Sequence, residues 1–507
     1  MDKLIINLNK IRNEIPKEIY GQFAEHLGNG IYGGVYVGED NELENINGIR
    51  LDVVEALKDL EVPVIRWPGG CFADQYHWRD GIGAKSERKT IINKNWGDVV
   101  ENNHFGTHEF FELCELVGAD PYLNINVGSG TVREMQDWIE YITSDNPKSD
   151  LVKLRKKNGR EKSWNLKWVG VGNENWGCGG NMTPDFYSDL YRQFDTYLGS
   201  FNDTKINSIA CGANIDDYDW TETVVSRTKD LADALTLHYY TFDGTWENKG
   251  DSLDFNEMGW DRFMHNGHYM KELLDSHLSI MDRYDPDGKI SLIVDEWGAW
   301  HKPLEGTNPH FLEQQNTIRD ALNAAATLNL FNKYSDRVKM SNIAQMINVL
   351  QAMIITNDED IVLTPTYYVY LLYKKHMNAK LLETWSSFDE VKKIHEIDNE
   401  KKVFSYPAIS HSASMKDGDI LLTVCNLTPD QDYKFSLEVL ADKDKANWEI
   451  ENIEILLAKD GKLNAHNTFE NKNCVIPRKF EEFTHEDSNY VVEIPKGSLL
   501  AIEITID

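Results

Sequence analysis

The stretch Leu166-Lys167-Trp168-Val169-Gly170-Val171-Gly172-Asn173-Glu174-Asn175-Trp176-Gly177 begins as a short apolar run and ends in a carboxylate flanked by two amides. A run of that length bounded by glycines reads as a strand buried on both faces, which is what a parallel sheet requires. A second stretch repeats the design, with Ile290-Ser291-Leu292-Ile293-Val294 ending in Asp295-Glu296-Trp297-Gly298. Two such strands, each delivering an acid at its C-terminal end, predict a parallel barrel whose chemistry sits where the strands end.

Working outward from these two, six further apolar runs occur at 19–24, 62–67, 121–127, 208–213, 234–239 and 338–347. The total of eight is the number that closes a (β/α)8 TIM barrel. Segments 49–60, 108–116, 185–198 and 316–333 carry apolar residues three and four apart and are expected as outer helices. The stretch 242–265, rich in Asp, Asn, Gly and Trp, reads as an extended loop on the catalytic face. Beyond residue 379 the texture turns to alternating apolar and polar residues, at 420–425, 433–439, 448–456 and 490–506, which predicts an antiparallel β-sandwich. The run 3–8 alternates too. The expected organisation is therefore an N-terminal strand within 1–16 that joins the sandwich, a catalytic barrel over 17–378, and a jelly-roll-like β-sandwich over 379–507.

Composition narrows the partners. The chain of 507 residues carries 83 acidic against 52 basic side chains, a formal net charge of −31. That field repels phosphate backbones and anionic headgroups, so neither nucleic acid nor membrane is an expected partner, whereas a neutral sugar is indifferent to it. No stretch approaches the ~20 apolar residues of a membrane span. The N-terminus has no basic segment followed by a long apolar run, and the six cysteines, Cys71, Cys114, Cys178, Cys211, Cys425 and Cys474, are scattered without close pairs. Both features fit reduced thiols in a cytoplasmic protein. His26, His77, His104, His108 and His238 sit in no zinc motif, and Gly28, Gly30, Gly33 and Gly34 make no phosphate cradle. No metal and no cofactor are expected.

One carboxylate at a strand end is most simply an ion-pair partner. Two facing one cavity point to glycoside hydrolysis, because an oxocarbenium-like transition state must be stabilised while the departing oxygen is protonated. The candidate pair is Glu174 and Glu296, and with carboxyl groups about 5–5.5 Å apart one of them can attack the anomeric carbon directly, giving net retention of configuration. Asp295, next to Glu296, is expected to point the other way and pack in the barrel wall, by strand alternation. Arg66 reads as a group that either orients a catalytic carboxylate or simply satisfies one inside the barrel. Trp78, Trp96, Trp176, Trp297 and Trp300 lie near the same strand ends, where aromatic faces can pack on sugar rings, although several of them are expected to be plain core.

These residues resemble the α-L-arabinofuranosidases of glycoside hydrolase family 51 over nearly the whole chain. The ordered set that carries the resemblance is Tyr20-Gly21-Gln22-Phe23-Ala24-Glu25-His26-Leu27-Gly28, Arg66-Trp67-Pro68-Gly69-Gly70-Cys71-Phe72-Ala73-Asp74, the 76–83 segment, the 172–180 segment, Leu237-His238-Tyr239-Tyr240 and Asp295-Glu296-Trp297. The resemblance implies Glu174 as general acid/base and Glu296 as nucleophile, and adds Glu25, Asn173 and Gln345 as ligands of arabinofuranose hydroxyls. It has Tyr240 holding the nucleophile, and places Cys71 where some relatives have an asparagine that contacts sugar, so that contact is lost or replaced and Cys71 is either a substrate-facing pocket wall or a buried small hydrophobe. Trp96, His104 and His238 are expected around the same pocket. The implied substrates are arabinofuranose-containing oligosaccharides, and the implied assembly is a homo-oligomer, commonly a hexamer. Two alternatives stand beside this: a β-xylosidase or endoglucanase on the same scaffold, and a carbohydrate-binding protein without turnover.

Overall fold

The computed structural model describes residues 1–397, 399–441, 447–459, 461–486 and 489–506. Eight parallel strands, Gly21–Phe23, Val64–Trp67, Asp120–Ile125, Trp168–Val171, Asn207–Asn214, Ala234–Thr241, Ser291–Ala299 and Val338–Ile343, close into a barrel in chain order. All eight apolar runs picked out in the sequence are these strands. Closure brings the eighth strand against the first at Asn342 and Gly21. Only glycine fits there, since a Cβ on Gly21 would stand 2.6 Å from both the Asn342 amide and a Val64 methyl. Val64, Tyr122, Ile209, Ala234, Ile293 and Met340, from six different strands, pack into one apolar layer inside the barrel. The polar strand ends therefore rest on a dry floor.

Helices cover the outside, and the four expected segments are helical at Leu51–Asp59, Thr107–Val117, Pro184–Tyr197 and Ile318–Lys333. In the last, Thr317 and Asp320 form a reciprocal cap that satisfies the first-turn amides. The segment read as one extended loop is only half loop, because Glu257–His268 is a helix. Asn256 caps it by accepting from the Gly259 amide, and Trp260, Phe263, Met264 and Gly267 bury one face at helical spacing. The glycines and polar residues of 242–265 masked that stripe.

The second body is a ten-stranded sheet. Its order places Asp2–Glu14 between Lys380–Ser386, to which it is antiparallel, and Tyr433–Leu440, to which it is parallel. The sheet folds over on itself: Trp448 and Tyr490, on strands near its opposite edges, have ring centroids 4.9 Å apart. Leu4, Ile6, Leu422, Phe435, Val492 and Ile502 fill the space between the halves. That is a sandwich core.

Barrel and sheet pack directly on each other. The fully buried Trp260 donates its indole N–H to the Leu427 carbonyl at 2.9 Å. Trp260→Phe keeps most of the packing but orphans a buried carbonyl, so we expect a loss of about 1–3 kcal/mol, read as a lower urea midpoint at unchanged slope.

Candidate active site

The site is assembled from the C-terminal ends of the strands. Gly172 and Glu174 both take left-handed backbone conformations, with φ of +86° and +43°. The Glu174 carbonyl then accepts from the Gly177 and Gly179 amides, forming a tight turn that projects the Glu174 side chain over the barrel mouth. Glu296 arrives from the seventh strand. The backbone opposite it must be glycine, because a Cβ on Gly70 would lie 2.8 Å from Glu296 Oε1.

Arg66, at the end of the second strand, is buried and donates across the barrel. Its Nη1 lies 3.0 Å from Glu296 Oε1, its Nε 3.1 Å from Asp295 Oδ2, and its Nη2 donates to Asn173 Oδ1. The surrounding carboxylates outweigh the burial that opposes its charge, and raise its pKa further. His238, from the sixth strand, links the same groups. Nδ1 is 2.9 Å from Glu174 Oε1 and Nε2 is 3.1 Å from Asp295 Oδ1. Burial disfavours the imidazolium, but the Glu296, Asp295 and Glu174 carboxylates prevail and push His238 up to about 10. It is a cation that donates from both nitrogens.

Asp295 departs from the expectation. It does not pack in the barrel wall away from its neighbour, because it shares both Arg66 and His238 with Glu296 and also accepts from the Tyr122 hydroxyl at 2.8 Å. The pairing between the seventh and eighth strands shifts register between Val294 and Trp297, so simple alternation does not apply at this point. Burial opposes the Asp295 charge, yet Arg66 and His238 hold its carboxyl below the ordinary range.

The remaining candidates are brought together as follows. Tyr240 donates its hydroxyl to Glu296 Oε2 at 2.9 Å. Glu25 accepts from the Phe72 amide, from the Trp96 indole at 2.9 Å and from the Gln345 amide at 3.1 Å. Burial, and then the neighbouring Glu296, raise Glu25 to about 7. Glu25, Cys71, Trp96, Glu174, Tyr240, Glu296 and Gln345 all line one cavity of about 240 Å³, together with Trp176, Trp246 and Trp300. Trp78 and Trp297 are fully buried core residues instead. His26, His77 and His108 are hydrogen-bonded to Glu101, Glu134 and Tyr141, away from the cavity lining, and His104 is not part of that lining either.

Two residues of the site went unread in the sequence. Asp74 accepts from the Val127, Gly128 and Asn173 amides, tying the loops after the second, third and fourth strands together. Its place within the quoted 66–74 motif was the available signal. Trp246, in the polar 242–265 stretch, stands against Trp300 with the Lys249 ammonium over both rings. Nothing local distinguishes it from a core tryptophan.

The cysteines also need correction. Cys71 and Cys178 are joined in a disulfide, with Cα atoms 5.5 Å apart, while Cys114, Cys211, Cys425 and Cys474 are free. The partners are 107 residues apart, on the loops after the second and fourth strands. No local spacing marks such a pair.

With this geometry in hand, similarity to known proteins becomes interpretable. Residues 56–258 match the model of the α-L-arabinofuranosidase 1 domain, and 295–498 match that of the α-L-arabinofuranosidase C-terminal domain. An intracellular exo-α-L-arabinofuranosidase of Bacteroides ovatus is 46% identical over 99% of this chain and 95% of its own. The chain belongs to the α-L-arabinofuranosidases of glycoside hydrolase family 51. Family members of known structure superpose on it throughout. The family 51 arabinofuranosidase of Xanthomonas axonopodis pv. citri does so with a TM-score of 0.94 at 40% identity, covering 100% of both chains. The α-L-arabinofuranosidase of Thermotoga maritima, solved with arabinose, gives 0.86 at 30% identity over 99% of each.

The His238 shift carries a pH prediction. Its folded value lies above the ordinary ~6.5, so its contribution to stability is complete below that pH and is lost as pH rises towards about 10. The difference in unfolding free energy between wild type and His238→Gln, measured in urea, is expected to narrow between those two values.

Proposed function

We propose that the chain is a retaining, exo-acting α-L-arabinofuranosidase. It removes terminal non-reducing arabinofuranosyl residues from arabino-oligosaccharides, arabinan or arabinoxylan fragments by double displacement. The observation that carries the mechanism is the closeness of the pair, since a carboxylate oxygen of Glu174 lies within 4.8 Å of one of Glu296. Inversion needs ~6.5–9.5 Å to seat a water between the carboxyl groups, whereas retention needs only ~5–5.5 Å.

Glu296 attacks the anomeric carbon, with Arg66 and Tyr240 aiming its carboxylate. Glu174 has Oε1 engaged by the His238 N–H, which leaves Oε2 to protonate the departing oxygen and later to take a proton from water. Asn173 Nδ2 and Gln345 Oε1 are buried without a protein partner, and Glu25 lies beside Gln345. Unsatisfied buried groups cost about 1–3 kcal/mol each, and sugar hydroxyls would satisfy both. Cys71 has no S–H to offer while bridged, so it serves as pocket wall. A cavity smaller than the ~300–1,000 Å³ of drug-sized sites suits one furanose ring and hence exo action. Membership of the family and the name of the Bacteroides relative extend the proposal to an intracellular homo-oligomer.

The first test is incubation with 4-nitrophenyl α-L-arabinofuranoside, β-D-xyloside and β-D-glucoside, following the first sugar released by proton NMR. Arabinose in retained configuration is expected. Faster release of xylose or glucose would overturn the substrate, and no turnover of any glycoside would favour a binding protein. In the same assay Glu174→Ala should lose about 10²–10⁴-fold on a poor leaving group yet still form the glycosyl-enzyme from the 4-nitrophenyl substrate. Glu296→Ala should be inactive on both. Rescue of Glu296→Ala by azide with retained configuration would reverse the two roles.

A further inference from the structure

The mechanism makes no use of the sulfurs beside Glu174. The carboxylate oxygen that faces away from His238, Oε2, is 3.4 Å from Cys178 Sγ and 3.8 Å from Cys71 Sγ. Cys178 is exposed and Cys71 is partly so, which leaves the bridge within reach of a dissolved reductant. A thiol–disulfide pair in a reducing compartment is opened by exchange with glutathione or a dithiol protein, and the more exposed the sulfur, the more readily it is attacked.

We infer that reduction of Cys71–Cys178 creates a site for a soft divalent cation such as Zn²⁺, ligated by the two thiolates and Glu174 Oε2, and that occupancy silences the enzyme. The three ligand atoms already lie within 4.8 Å of one another. Zn–S bonds of ~2.3 Å and Zn–O bonds of ~2.0–2.2 Å at tetrahedral angles put sulfur and oxygen about 3.6 Å apart. The observed separations of 3.4 and 3.8 Å bracket that edge. Opening the bridge requires only that the sulfurs move apart to admit the ion between them. Two thiolates also select for zinc over magnesium or calcium, which prefer oxygen.

The chemistry balances. A dithiol reductant gives two electrons and two protons to the disulfide and becomes a disulfide itself, leaving two protein thiols. Zn²⁺ displaces both thiol protons to solvent and forms two Zn–S bonds and one Zn–O bond, with water in the fourth position. Ligation occupies the oxygen assigned to protonate the leaving group. The effect on turnover thus rests on the acid/base reading of Glu174, whereas binding does not.

The test uses the whole protein, reduced with a trialkylphosphine, which takes an oxygen from water as it is oxidised, and then desalted without air. Titration with Co²⁺ should raise a thiolate-to-cobalt charge-transfer band that saturates at one ion per chain. Zn²⁺ should abolish the band, release two protons per ion and suppress arabinofuranosidase activity about tenfold or more, as losses at catalytic groups typically do. A chelator should restore activity. The oxidised protein should show neither band nor inhibition, and Cys178→Ser should lose the band and retain its own metal-free rate when Zn²⁺ is added. No band in the reduced protein, or a band that survives Cys178→Ser, overturns the site. A saturated site with undiminished turnover overturns the silencing. Error in the acid/base reading would appear separately, in the metal-free leaving-group dependence of Glu174→Ala.

Discussion

Everything at the mouth of the barrel is organised around the buried guanidinium of Arg66. It ties the second strand to the seventh through Asp295 and Glu296, and to the fourth through Asn173, while its plane lies 4.3 Å over the Phe23 ring from the first. Removing such a cation from water costs several kcal/mol, and only close, well-aligned carboxylates offset that. The closed barrel supplies them, because strands far apart in the chain end at one height above an apolar floor. The converse also holds, since Arg66 and His238 are the cations that favour the charged form of Glu296 in this dry setting. Burial, with the Glu174 and Asp295 carboxylates, pushes its pKa up, and the two cations oppose the rise without cancelling it. Stability and catalysis thus draw on the same contacts, so neither Arg66 nor His238 can be exchanged without affecting both.

The barrel was legible in the sequence because buried parallel strands leave continuous apolar runs, and eight of them stood out between helical stretches. The proposed catalytic pair, Glu174 and Glu296, stood out for a related reason, that each acid closes such a run. What escaped were features that depend on three-dimensional meeting or on a local break in regularity. Asp295 was misplaced because alternation is a property of regular strands and the register slips just there. The helix Glu257–His268 was missed because glycine and asparagine lower the intrinsic propensity that packing of Trp260 and Phe263 restores. The Cys71–Cys178 bridge joins two loops that only barrel closure makes neighbours. Roles that came from resemblance, those of Glu25, Gln345 and Tyr240, concern side chains whose partners lie on other strands, and no single stretch of sequence displays them.

The roles proposed for the two carboxylates fit the unlike settings that one pocket gives them. Glu296 is held at both oxygens, Oε1 by Arg66 and Oε2 by Tyr240, so its position is fixed by donors on two strands. A nucleophile gains from this, because attack requires a near-contact geometry that a freely rotating side chain seldom adopts. Glu174 is held at one oxygen only. His238 takes Oε1, while Oε2 faces the two bridged sulfurs at 3.4 and 3.8 Å, which have no S–H to donate to it. A group that must release a proton and then recover one is served by that asymmetry, since a strong donor at Oε2 would occupy the lone pair that has to carry the proton. The sulfurs are therefore suited to this place for the same reason that makes them vulnerable there. They leave the carboxylate oxygen uncommitted, and an uncommitted carboxylate between two reducible sulfurs is open to any soft cation that reaches it.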